Sequence, residues 1–209
     1  MPGHSYEKIY ETALDQHGCI TTGQATALGI ERHSLLMMER RGQLERLSHG
    51  VYRVTAIPLT SLTAYAAAIL WPRTSTAVLS HETALDLYGV SDINPGRVHI
   101  TIPRSHSRIR RTTPRAYNVH IADLPPRDIA TYEGLPITTL ERTIRDCAAT
   151  HVGPYLLAQA IKQGRSTGRL SPEAARTLAA DILAEDLEPE ASHTWELATD
   201  GPRRLLARE

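Results

Sequence analysis

Apolar positions in the first 55 residues recur at helical spacing in three short runs separated by glycine. Ile9, Ala13 and Leu14 fall on one side of a helix over 4–17, which Gly18 closes as a C-terminal cap. Thr21 and Thr22 offer hydroxyls to the free amides of a second, shorter helix lined by Ala25 and Leu28, and Gly29 permits a sharp turn after it. Leu35, Leu36 and Met38 then mark the apolar side of a third helix over 31–41, ended by Gly42. Helix, short helix, tight turn and helix is the helix-turn-helix order, in which the second helix of the pair enters the major groove of DNA. Two β-prone runs, 44–47 and 51–54, flank Ser48, His49 and Gly50, and Gly50 can take the positive φ of a tight hairpin. A hairpin in that place is a wing.

The pattern changes at 56–62, where the hairpin stops at Pro58 and an alanine-rich helix begins that ends at Trp71-Pro72. Val78-Leu79 reads as a short strand, with Ser80 capping a helix to Tyr88 and Gly89 closing it. In 97–102, Val98, Ile100 and Ile102 face one way and Arg97, His99 and Thr101 the other, the mark of a half-buried strand. Further strands are expected at 119–124 and 128–132, and helices at 139–150, 154–163 and 172–185. The fold class is therefore α+β: a winged helix-turn-helix domain over 1–56, then an α+β domain over 60–190 with a small sheet and a C-terminal helical run. An acidic tail over 191–209, with Trp195 and Leu197 available to dock a last short helix, completes the chain.

Charge alters this picture more than composition does. The 209 residues carry 23 basic and 23 acidic side chains and have a mean hydropathy of −0.28. The balance conceals a sorting along the chain. Between Asp92 and Asp123 there is no acid, while Arg97, Arg104, Arg108, Arg110, Arg111 and Arg115 supply six positive charges. From Ser171 onward nine acids face four arginines, a net of about −5. Lys8 and Lys162 are the sole lysines, an arginine bias that a GC-rich coding genome would also produce. The basic segment reads as a phosphate-binding surface, with His99, His106 and His120 nearby, or as a solvated loop balancing the acidic tail.

Several function classes fall away. The longest apolar run, 64–71, is eight residues where a membrane span needs about 20, and the N-terminus lacks a signal-peptide layout, so a cytoplasmic protein is expected. Cys19 and Cys147 form no CxxC pair, and the ten histidines show no HExxH or helical chelating pair, so neither a metal nor a cofactor is implied. Gly164, Ser166 and Gly168 match the GxSxG nucleophile elbow, but that turn needs a preceding strand. Here the glycines more simply separate two helices, and His81-Glu82 reads as a helix start. No enzyme is expected.

Residues 19–54 resemble the N-terminal winged-helix domain of AbiEi-type antitoxins, from bacterial toxin–antitoxin systems of type IV. The segments 77–85, 90–95, 97–103 and 134–139 are similar in order and spacing to that family's C-terminal domain, and the likeness runs from about Tyr6 to Leu183. The resemblance implies a repressor of its own operon that neutralises, directly or indirectly, a nucleotidyltransferase-type toxin encoded beside it. DNA contacts are expected from Thr22 and Gln24 in the second helix and from Arg32, His33, Ser34, Met37, Arg40 and Arg41 in the third. Arg46, His49 and Arg53 on the wing and Arg104, Arg108, Arg110 and Arg111 in the basic segment add phosphate contacts. Arg32, His33 and Ser34 are placed for bases, and Arg40 and Arg41 for phosphates. Many relatives carry arginines or other polar residues in the middle of this helix, where Leu36 and Met37 stand here; these can meet thymine methyls but make no bidentate contact to guanine. The expected partners are operator DNA, as inverted repeats upstream of its own operon, and the toxin, with no membrane. A second reading is an adaptor without base contacts that inhibits a partner enzyme.

Overall fold

The computed structural model of the protein describes residues 4–73, 76–108 and 112–183. The expected acidic tail, with Trp195 and Leu197, lies outside them. The N-terminal part runs α1 (His4–Leu14), β1 (Cys19–Thr21), α2 (Thr22–Ala27), α3 (Arg32–Arg40), β2 (Leu44–Ser48) and β3 (Val51–Val54). In α1 the four-residue spacing buries Ile9 and Ala13, and Tyr6 and Tyr10 pack beside them. Leu14 is 52% exposed, contrary to the expected stripe, because one residue past Ala13 turns it about 100° off the buried line. Thr21 caps α2 with a capping box: its hydroxyl accepts from the Gln24 amide while the Gln24 side chain accepts from the Thr21 amide.

The wing holds one strand more than the sequence pattern suggested. β1 pairs antiparallel with β3, Cys19 opposite Arg53 and Thr21 opposite Val51, so the hairpin becomes a three-stranded sheet in the order β1-β3-β2. This makes β3 central, and its residues alternate between two cores. Tyr52 and Val54 join Ile9, Ile20, Leu35 and Met38 in the helix-turn-helix core. Val51 and Cys19 instead join the core of the following unit, with Trp71, Leu79 and Ile100.

That unit comprises α4 (Thr63–Leu70), β4 (Val78–Leu79), α5 (His81–Tyr88), β5 (Val98–Ile102), β6 (Tyr117–Ile121), β7 (Ile129–Tyr132), β8 (Leu135–Thr138), α6 (Leu140–Ala149), α7 (Pro154–Ser166) and α8 (Pro172–Leu183). The sheet order is β6-β5-β4-β8-β7, with β4–β8 and β5–β6 parallel and the other pairs antiparallel. Ala66, Ala67 and Ala68 keep α4 slim enough to lie buried between the wing and this sheet. Behind, α6, α7 and α8 close a second core around Ile144, Leu157 and Leu178. The architecture is α+β, as the sequence indicated.

Three local expectations need correction. β5 is not half-buried: His99 and Thr101 are 7% and 1% exposed, because Ser80, His81 and His120 cover their side of the strand. Ser80 occupies the N-cap of α5 without capping it, its hydroxyl being engaged by Thr101 and His81. Gly164 does not break α7 but sits inside it, where an added Cβ would come within 2.7 Å of Leu140 Cδ2 and 2.9 Å of Leu170 Cδ1. The helix ends two residues later, and Gly168 takes φ +73° just beyond.

The link 56–62 is thus a covalent boundary across a shared core, and 1–56 alone would expose Cys19 and Val51. Thr63 Oγ1 donates to the His17 carbonyl at 3.2 Å, and the His17 ring meets the Glu133 carbonyl at 2.9 Å, fastening the same seam. Trp71, fully buried and edge-on to Tyr117 at 5.9 Å, anchors the far end of α4. Trp71→Ala is expected to cost about 3–5 kcal/mol. In urea, wing and second sheet should lose structure at one midpoint, lowered together in the variant.

Candidate nucleic-acid interface

The recognition helix α3 divides cleanly by its period. Leu35 and Met38 are buried against the helix-turn-helix core. Arg32, Leu36 and Arg40, four residues apart, form an exposed row, with His33 and Arg41 exposed beside it and Ser34 and Met37 partly covered. Leu36 is 38% exposed, an apolar side chain in the middle of an otherwise polar face. The structure therefore brings Arg32, His33, Ser34, Met37, Arg40 and Arg41 onto one helix and its C-cap, with one guanidinium group, Arg32, at the start of the row and two, Arg40 and Arg41, at its end. Neighbouring phosphates and base edges lie within such a span when a helix enters the major groove.

Two expected contacts are placed elsewhere. Gln24 is consumed by the cap of α2: Oε1 accepts from the Thr21 amide and hydroxyl at 2.9 and 3.0 Å, and Nε2 donates to Gln16 at 2.7 Å. Arg53 does not project from the wing. Its Nε and Nη2 donate to one Glu45 oxygen at 2.9 and 2.8 Å, and Nη1 donates to the Ile57 carbonyl at 3.2 Å. The antiparallel register sets Glu45 opposite Arg53, so the charge is neutralised across the hairpin. Its side chain is 12% exposed.

Arg46 and His49 stay at the wing surface, with Arg46 Nη2 3.3 Å from His49 Nδ1. Thr22 lies against the wing turn, its amide donating to the Gly50 carbonyl at 2.9 Å and its hydroxyl at 3.4 Å. The basic segment is the crossover that joins the parallel strands β5 and β6, a connection that needs a dozen residues or more. Arg104 and Arg108 are exposed there, Arg104 beside Asp123 at 3.8 Å. Arg110 and Arg111 lie outside the described residues.

Sequence reasoning missed one cluster. The parallel register sets His120 beside Thr101, bringing it to His99, with 3.2 Å between His120 Nε2 and His99 Nδ1. His81 stacks on His120 with ring centroids 3.4 Å apart. Thr101 donates to Ser80 at 2.8 Å, and Ser80 meets His81 Nδ1 at 2.9 Å. Burial, then the neighbouring His120, His99 and Arg142, pushes His81 down to about 3. Burial and His99 push His120 down to about 4. His99 is lowered as well, by burial first and by Arg97, against an opposing pull from Glu82. Among the described residues no group of His, Cys, Asp and Glu could hold a metal ion. Ser166 of the GxSxG match ends a helix rather than following a strand, and donates to the Gln163 carbonyl at 3.0 Å. Among the described residues no helix is long and apolar enough to cross a membrane.

An exposed recognition helix braced by a wing, on an α+β body, defines a winged helix-turn-helix regulator. Residues 7–55 match the family model described as "Transcriptional regulator, AbiEi antitoxin", and residues 76–195 match "AbiEi antitoxin C-terminal domain". The chain belongs to the AbiEi antitoxin family: it is an antitoxin of a toxin–antitoxin system with a DNA-binding role. No curated protein matches it. A crystal structure of the RV2827C protein from Mycobacterium tuberculosis is similar at 17% identity and a TM-score of 0.48, over 85% of this chain and 72% of that one.

The histidine cluster sets a sign for acid stability. An unfolded histidine takes up a proton near pH 6.5, whereas His81 and His120 resist it until about 3 and about 4. Below pH 6.5 the unfolded state therefore binds more protons, and stability falls with pH through this window. Each ring contributes about 1.4 kcal/mol per pH unit while its folded form stays neutral. Urea midpoints measured between pH 7 and 4.5 should fall less steeply in His120→Gln than in the parent.

Proposed function

We propose that this protein is the autorepressor of its own toxin–antitoxin operon, binding inverted repeats upstream of it, and that it counteracts a nucleotidyltransferase-type toxin encoded alongside. The observation that carries the reading is the exposed row Arg32, Leu36 and Arg40 on α3, set opposite the buried Leu35 and Met38, together with Arg46 and His49 at the surface of the wing. Arg32 and His33 read base edges near the helix start, Leu36 and Met37 meet thymine methyls, and Arg40 and Arg41 hold phosphates. Arg104, Arg108, Arg110 and Arg111 extend the footprint as a second basic surface on the same chain, raising affinity through effective concentration. The protein acts in the cytoplasm by binding, not by catalysis, with no cofactor or metal.

Titration of the full chain against DNA from upstream of its reading frame and against a scrambled duplex tests this. Arg32→Ala is expected to lose about 1–3 kcal/mol on the upstream DNA and less on the scrambled one. Replacing Arg104, Arg108, Arg110 and Arg111 together should flatten the dependence of log affinity on log salt by about 0.9 per lost phosphate contact. Equal losses of Arg32→Ala on both duplexes would reject the base-reading role. If the quadruple variant keeps its slope but no longer protects cells expressing the toxin, the loop belongs to the toxin. Weak, sequence-independent retention of the parent protein would favour the adaptor.

A further inference from the structure

We propose that the wing turn and Arg73 form one phosphate-binding site for the DNA backbone, built jointly by the two halves of the chain. It rests on the DNA-binding reading above and adds to it a residue from outside the winged domain. Arg73 follows α4 by three residues, yet its guanidinium lies over Gly50 at the tip of the wing: a Cβ built on residue 50 would stand 3.2 Å from Arg73 Cζ and 3.3 Å from Nε. Gly50 follows His49 directly, and His49 Nδ1 is 3.3 Å from Arg46 Nη2. Two guanidinium groups and an imidazole thus gather around one turn.

The turn and the arginine are both held in place. The Gly50 carbonyl accepts from the Thr22 amide at 2.9 Å, tying the turn to the start of α2. Gly50 has φ +78°, and its lack of a side chain is what lets the guanidinium approach. On the other side, Trp71 and Pro72 are buried immediately before Arg73, the Arg73 amide donates to the Leu70 carbonyl at 3.2 Å, and Arg73 itself takes φ +59°. A non-glycine residue in that conformation costs about 1 kcal/mol or more and persists where its surroundings fix it.

Charge separates this site from the rest of the wing. Glu45 is the acid nearest in sequence, and it is spent on Arg53. Among the described residues no carboxylate lies within ion-pair distance of Arg46 or Arg73. A guanidinium with no described carboxylate beside it is open to a phosphate oxygen, which accepts a charge-assisted hydrogen bond from it. A wing turn beside a recognition helix is where the DNA backbone passes, so the occupant is a backbone phosphate, contacted without regard to sequence.

The test measures binding of the full-length protein to its upstream DNA and to a scrambled duplex from about 50 to about 200 mM salt. Arg73→Gln should flatten the salt slope by about 0.9 on both duplexes, narrowing the fall in affinity across that range roughly 3.5-fold. Arg73→Lys, which keeps the charge, should retain most of the slope. Arg53→Gln, whose guanidinium is already neutralised, should leave it unchanged. If the parent binds DNA and Arg73→Gln keeps the parent slope, the joint site is wrong while the DNA-binding reading stands. If the parent binds neither duplex, both fall.

Discussion

The arrangement depends on one strand serving two cores. β3 has the period of two that every strand has, and here both of its faces are apolar, so Val51 packs with α4 and the second sheet while Tyr52 and Val54 pack with the helix-turn-helix. β1 repeats the device with Cys19 on one side and Ile20 on the other. The wing is consequently not a flap on a linker but an internal layer. Burial raises Cys19 to about 11, consistent with a thiol placed inside that layer rather than at a reactive surface.

This layering decides which charges face outward. Arg53 sits on the α4 side of β3, where the hairpin register provides Glu45 and the chain turn provides the Ile57 carbonyl, so it serves the fold. Arg46 sits in the last regular pair of β2, opposite Tyr52 and just before the irregularity between Arg46 and Ser48, and remains at the surface with His49. Because α4 is packed on the wing, the segment that follows it emerges at the wing tip and brings Arg73 there. The basic crossover has a different origin: β5 and β6 are parallel neighbours, and the chain must return the length of the sheet between them.

Much of this was legible in the sequence. The three N-terminal helices, the hairpin and its glycine, and most of the strands and helices of the second unit follow from period and punctuation. β1 was hidden because three residues, Cys19, Ile20 and Thr21, are too few to show a period, and β8 because Pro136 interrupts Leu135 and Ile137; the proline is tolerated beside a partner strand of two residues. The roles of Gln24 and Arg53 were within reach: Thr21 with Gln24 three residues on is a capping-box spacing, and Glu45 faces Arg53 once the hairpin register is drawn. The histidine cluster was not, since His99 and His120 meet through a parallel pairing and His81 joins them from the start of α5, neither of which leaves a local trace. Nor was the approach of Arg73 to Gly50, which follows from the packing of α4.

Native-state hydrogen exchange tests the central claim, that the wing sheet and the second sheet are one packed unit. If β3 is an internal layer, its backbone amides should open with the same free energy as those of β5, and that free energy should match global unfolding. Exchange of the β3 amides at a much lower opening free energy, while β5 stays protected, would show a wing that detaches on its own and would contradict the account.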